Sequence, residues 1–224
     1  LRQKAYPILR DAALFCADYL TRDARGRWTM EPVLHYEAHT FAPGAKPSGP
    51  DPFDMWGTNS LYAQAVFRAG FVQAIAAARE LGVDEPLQRE WQEKLDGLAE
   101  PPVTEEGYWK AWENREPAYG WHNFLLCLAF PAELVSRFHG PPEWLEQARA
   151  TWRHIRDGKH PGSSGKGWVG GQGILELHRM GFVEEAFQGA RWPQREPREG
   201  RRAGIPVPLG MLVRSDEQQE NGMS

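Results

Sequence analysis

Between Arg27 and Trp56 the sequence gathers Trp28, Glu31, His35, Tyr36, Glu37, His39, Asp51, Asp54 and Trp56. No sustained helical period runs through this stretch, and Pro43, Gly44, Pro47, Gly49, Pro50 and Pro52 break it. It reads as a long loop, and a loop of that length in a folded domain usually carries function or disorder. Carboxylates beside aromatic rings suit sugars. The apolar faces of a sugar stack on rings while its hydroxyls pair with carboxylates and amides. Cleaving a glycosidic bond needs one carboxyl held protonated as the acid and a second acting across the bond as base or nucleophile. Rings around a carboxyl desolvate its charged form and so favour the protonated acid. Glu37, between Tyr36 and His39, is the best-placed candidate; Glu31 is the other, and the sequence leaves the choice between them open.

A second polar-aromatic group holds Trp109, Trp112, Glu113, Glu116, Tyr119, Trp121, His122 and Asn123. It precedes an apolar segment, so it marks either the mouth of a cavity or a helix start with its rings packed inward. His35 and His39 lie four apart around Glu37, but the order is neither H-E-x-x-H nor H-x-x-E-H, and no continuous helix supports them. No metal and no cofactor is expected. The run Gly162 to Gly167 lacks the spacing of a phosphate loop and follows no strand, so it reads as a flexible turn. Cys16 and Cys127 sit in apolar patterns and read as buried thiols.

These residues need elements to hold them. Leu1 to Leu20 carries Tyr6, Leu9, Ala13, Cys16, Ala17 and Leu20 at helical spacing. Asp23 to Gly26 turns the chain. Thr58 to Leu81 reads as a long helix with Leu61, Ala65, Phe67, Ala69, Val72, Ile75 and Ala76 inward, ended by Gly82. Further helices are predicted over Glu85 to Leu98, Gly120 to Phe138 with a kink at Pro131, Glu143 to Ile155, and Trp168 to about Ala190. The only strand candidate is Trp28 to His35. Residues 191–224 mix arginines, acids and prolines without apolar period and read as a linker or disordered tail. The expected division is thus 1–190 and 191–224.

Composition narrows the class. With 41% hydrophobic and 25% charged residues the chain can bury a core, which excludes collagen-like and fully disordered readings. A net charge of −4 gives no reason to expect nucleic acid or an anionic membrane as partner. No uninterrupted apolar run approaches a membrane span. The first residue is Leu1, and the opening segment lacks a signal peptide's basic start and cleavage site, so the chain is expected to be an excerpt or a processed product. The compartment is left open; secretion or a periplasmic location of the parent protein is compatible with this sequence. The helices are too apolar for a single layer and ask for partners on both sides, as in a two-layer helical toroid.

At these residues the chain resembles the catalytic domain of glycoside hydrolase family 95, the α-L-fucosidase and α-L-galactosidase type, whose fold is a six-hairpin (α/α)6 toroid. Ala5-Tyr6-Pro7-Ile8-Leu9 through Phe15 is similar to the family's Y-P-L-L/M-K-x-A-A-x-F-W/Y helix. Gly26-Arg27-Trp28 through Glu37 lies where the family runs through a hairpin into S-P-E-N/H, with His35-Tyr36 in place of Ser-Pro. Thr58-Asn59 through Phe67, then Ala74, Ala78 and Leu81-Gly82, resembles T-M-D-x-x-I/L-I/L-R-x-L-F followed by A-A-x-x-L-G, with Asn59 at the aspartate. Trp121-His122-Asn123-Phe124-Leu125 and Phe130-Pro131 resemble H-R-H-L-S-H-L-Y-G-L-Y-P, retaining His122. Gly167-Trp168 through Leu175, Gly181 and Ala186 follow the family's G-W helix. The family's downstream F-Q-I-D-G-N-F-G, which carries its catalytic aspartate, has no counterpart in Gln194 to Gly210.

The resemblance implies an all-α chain forming part of an (α/α)6 toroid that is incomplete here, the rest of the barrel coming from flanking sequence. It implies an inverting exo-glycosidase with an oligosaccharide or polysaccharide substrate. Glu37 would be the general acid, and Trp28, His39, Trp56, Asn59, Trp121 and His122 would line the sugar site. Two alternatives are a non-catalytic helical carbohydrate-binding or scaffold domain and a six-hairpin polysaccharide lyase using Tyr36, His39, Asn59 and His122.

Overall fold

The computed structural model describes residues 1–34, 56–114, 125–159 and 171–191. The Tyr6, Ala13, Cys16, Ala17 stripe forms α1, Ala5–Tyr19, and these four side chains are buried as the spacing predicts. A polar clasp fixes its start. The Tyr6 hydroxyl donates to Asp84 at 2.6 Å, Arg10 Nε lies 3.3 Å from the same carboxylate, and Arg2 donates to the Leu81 carbonyl at 2.9 Å.

After α1 the chain makes two short antiparallel ribbons rather than one strand. Strand β1, Thr21–Arg22, pairs with β2, Trp28–Thr29; β3, Val33–Leu34, pairs with β4, Trp56–Gly57. The Trp28 to His35 candidate is therefore divided between two sheets, with a cis Glu31–Pro32 peptide in the break. Proline has no N–H to continue a ladder.

Helix α2, Leu61–Leu81, starts where Ser60 Oγ accepts the Ala63 N–H, and ends at Gly82, whose φ of 63° suits a residue without Cβ. Helix α3, Glu85–Asp96, follows after a tight turn. Helices α1 and α3 both pack on α2, around a core that includes Met30, Phe67, Phe71, Ile75, Trp91 and Leu98. Leu61, Ala65, Phe67 and Ile75 face inward as expected, but Val72 and Ala76 face out while Phe71 and Ala74 face in. The helix is apolar on nearly every side, so period alone does not select the buried stripe. Among the described helices α2 is long and apolar enough to cross a membrane, although Arg68, Arg79 and Glu80 interrupt its apolar run. It is nevertheless built into the core, with Gln64 and Arg68 buried along it. Arg68 donates to the Leu98 and Ala99 carbonyls at 3.3 and 2.8 Å, tying the end of α3 to α2.

The expected helix over 120–138 is absent from its described part, residues 125–138. A short 3-10 turn at Leu125 and Leu126 gives way to turns; the Leu134 N–H reaches back to the Leu128 carbonyl at 2.8 Å, and Glu133 has φ 54°. Leu126, Cys127, Leu128 and Val135 are all buried, so the apolar content serves a compact non-helical core segment. Pro131 is the reason, since it can neither donate to a helix nor let Phe130 settle into one easily. Helix α4, Pro142–Arg156, packs its Trp144, Ala148, Thr151, Trp152 and Ile155 face inward. Trp109 N donates to Thr151 Oγ1 at 2.8 Å and Trp109 Nε1 to Gln147 Oε1 at 2.9 Å, fastening the 103–112 loop to α4.

The chain divides into two compact units, Leu1–Gly167 and Trp168–Ser224. In the second unit the expected last helix is two helices, α5, Gly171–Met180, and α6, Val183–Arg191, packed on each other and separated at Gly181. The tail from 192 onward lies outside the described residues. The described architecture is mostly helical, as the resemblance implies for a family 95 helical domain.

Candidate functional site

The described ends of the two polar-aromatic stretches, residues 33–34 and 56–58 of one and 111–114 of the other, meet near the N-terminal end of α2. Leu34 and Trp56 are cross-strand partners in β3–β4, so that ribbon closes the base of residues 35–55. It is held from two sides. The Tyr19 hydroxyl donates to the Pro32 carbonyl, and Trp112 Nε1 donates to the Val33 carbonyl at 3.1 Å. Gly57 lies flat on the Trp112 indole; a Cβ there would come within 2.4 Å of the ring. Residues 111–114 are fastened beside it. Asn114 Oδ1 accepts the Thr58 N–H at 2.9 Å, Glu113 N donates to the Thr58 carbonyl at 3.0 Å, and Leu61 N donates to the Ala111 carbonyl at 2.9 Å. At the far end, Cys127 Sγ lies 3.6 Å from the Leu61 carbonyl.

A polar ladder joins these ends. Asp23 Oδ1 accepts the Arg25 and Arg27 N–H groups, each at 2.9 Å, and its Oδ2 accepts from Arg27 Nε at 2.8 Å. Arg27 Nη2 then donates to Glu113 Oε1 at 2.8 Å. The other oxygen of Glu113 accepts from Asn59 Nδ2. Asn59 Oδ1 in turn accepts the Met30 N–H at 3.0 Å, and the Asn59 N–H returns to the Met30 carbonyl at 3.0 Å. Burial pushes the Glu113 carboxyl up, but the hydrogen bonds from Asn59 and Arg27 outweigh it and hold the group below its usual range. Glu113 is thus an ionised partner of Arg27 and unsuited to hold a proton as an acid near neutral pH. Asp23 is held low too: desolvation opposes its charge, and the bonds from Arg27 and Arg25 prevail.

The candidate residues fall as follows. Glu37, His39, Trp121 and His122 lie outside the described residues. Glu31 is exposed, two residues before β3. Trp56 is 45% exposed and offers an open ring at the base of residues 35–55. Trp28 is half-buried, with Arg22 and Lys94 over its ring at 4.1 and 3.9 Å from the centroid. Those cations occupy the surface that a sugar would stack on. Asn59 is completely buried, so its amide faces Met30 and Glu113 and not a ligand. Trp109 and Trp112 are packed inward as core residues, and the members of that group from Glu116 to Asn123 lie outside the described residues. Sequence reasoning passed over Asp23 and Arg27 because they sit in what reads as a plain turn; their i, i+4 spacing across Gly26 was the available signal. Among the described residues no three His, Cys, Asp or Glu side chains gather to hold a metal ion.

No curated protein matches the chain. The model of the glycosyl hydrolase family 95 catalytic domain matches residues 1–191.

Proposed function

Because this chain belongs to glycosyl hydrolase family 95, by way of that family's catalytic domain, it is a glycosidase, and we propose that it acts as an inverting exo-glycosidase on fucoside- or galactoside-type sugars. The observation that carries this reading is the family match over residues 1–191. The described residues that flank the two candidate stretches support it, since Leu34 and Trp56 pair in one ribbon and Asn114 bonds to Thr58 just before α2.

In this reading Glu37 gives its proton to the glycosidic oxygen as the bond to the anomeric carbon breaks. A carboxylate on the opposite face takes a proton from water, and that water attacks the anomeric carbon. The two carboxyls of an inverting pair stand about 6.5–9.5 Å apart to leave room for the water. The base lies outside the stretches matched to family motifs here. Trp56 supplies an open stacking face, His39, Trp121 and His122 line the sugar, and Trp28 and Asn59 serve from behind. The substrate is the non-reducing end of an oligosaccharide or polysaccharide.

The test is hydrolysis of an unactivated panel, α-L-fucosides, α-L-galactosides and their D-sugar counterparts, followed by proton NMR of the first-formed anomer. The expected result is cleavage of one L-sugar with inverted configuration. Retained configuration would overturn the inverting mechanism, and cleavage confined to D-sugars would overturn the substrate class.

A further inference from the structure

We infer that Asn59 and Glu113 are a matched positioning pair that sets the strap leading to the candidate acids, Glu31 and Glu37, rather than residues that touch the sugar. This rests on the glycosidase reading for its kinetic consequence and on the ladder geometry alone for its structural one.

The Asn59 amide has only one workable orientation. Its oxygen meets the Met30 N–H and its nitrogen meets a Glu113 oxygen. Turned over, it would set a donor against a donor and an oxygen against a carboxylate. The side chain is fully buried, where a mismatched polar group costs most. Asn59 also holds φ at 49°, a left-handed conformation that asparagine tolerates better than most residues. Together its backbone N–H and side-chain oxygen grip both polar groups of Met30. Met30 immediately precedes Glu31 and the cis peptide, and β3 follows. Glu113 fixes the amide from the other side and is itself paired with Arg27, from the β1–β2 hairpin that ends just before Met30. The pair therefore locks the strap before residues 35–55 to the loop before residues 115–124.

This chemistry has a reciprocal form. Asn59→Asp alone faces two carboxylates toward each other. Asn59→Asp with Glu113→Gln restores every bond: the new carboxylate accepts from Met30 and from the new amide, whose own oxygen accepts from Arg27. A residue needed for a sugar hydroxyl gains nothing from this exchange.

The experiment compares wild type, N59D and N59D/E113Q. The first readout is deuterium exchange of peptides covering 28–34, 56–60 and 111–114, beside the melting temperature. The second is kcat and KM on whichever aryl glycoside the wild type cleaves. For N59D the expected result is fast exchange confined to those peptides and a loss of kcat/KM of roughly 10–100-fold, carried by kcat. The double variant should return to within about threefold of wild type in both readouts. Folding of the double variant when N59D alone does not fold supports the pair equally. Double-variant exchange as open as that of N59D, or failure of the double variant to fold, overturns it. So does wild-type exchange in N59D, or a loss carried by KM that the second change does not restore. A wild type that cleaves no glycoside sinks the glycosidase reading, and the exchange readout still decides the pair.

Discussion

Glu113 shows how a residue's neighbours, and not its type, set its role. In sequence it stands in an aromatic-acidic cluster and reads as site chemistry; in the structure it is an ionised rung between Arg27 and Asn59. Its depressed pKa has a consequence for stability. A carboxyl held low in the folded state adds stability that is fully present above its unfolded pKa and is lost as the pH falls through the folded value. Acid titration of Glu113→Gln should therefore give a shallower loss of stability below about pH 4 than wild type. Denaturant melts at stepped pH check this, and parallel curves would contradict it. Gly57 makes a second residue-scale prediction. Gly57→Ala drives a methyl into the Trp112 ring and should cost about 1–3 kcal/mol. An unchanged urea midpoint would show that the ribbon can slide off the indole. Neither contact was legible beforehand, because both pair residues more than fifty positions apart in sequence.

At the scale of elements, the helices with one apolar stripe were readable and the others were not. The buried stripe of α1 came out close to its expected position, with Tyr6, Ala13, Cys16 and Ala17 all inward. Helix α2 is apolar all round, and its buried face was decided by α1 and α3 rather than by its own period. The 125–138 segment has helix-like composition, but Pro131 diverts it into turns. What the sequence also hid is the clasp of α1 on the α2–α3 turn. Burial and the bond to Asp84 push the Tyr6 hydroxyl up to about 12. A raised tyrosine adds stability that is present below its ordinary pKa of 10.0 and is lost as the pH rises through about 12. Tyr6→Phe should cost about 1 kcal/mol at neutral pH. It should also flatten the alkaline limb of the stability profile, and urea melts at pH 7 and pH 11 measure both.

At the scale of the whole molecule, the family was legible from motifs in order, whereas the geometry that links them was not. The match over residues 1–191 covers the first compact unit, Leu1–Gly167, and the second, Trp168–Ser224, as far as residue 191. Exposed apolar side chains remain on the first of them: Ile8 and Phe15 on α1, and Val66 and Val72 on α2. Such a surface favours association, so the 224-residue chain by itself is expected to self-associate in sedimentation velocity. A sharp monomer at high micromolar concentration would contradict that.

The central claim is that Glu37 is the proton donor of a family 95 glycosidase, and leaving-group dependence tests it most directly. A sugar leaving group needs a proton, while a dinitrophenolate leaves without one. Wild type, Glu37→Gln and Glu31→Gln should be compared on a disaccharide and on the matching dinitrophenyl glycoside, using the longest form of the protein that its coding frame encodes. Glu37→Gln should lose about 10²–10⁴-fold in kcat/KM on the disaccharide and little on the dinitrophenyl glycoside, with Glu31→Gln near wild type on both. The same selective loss in Glu31→Gln, with Glu37→Gln unaffected, would contradict the assignment and move the acid to the head of the strap.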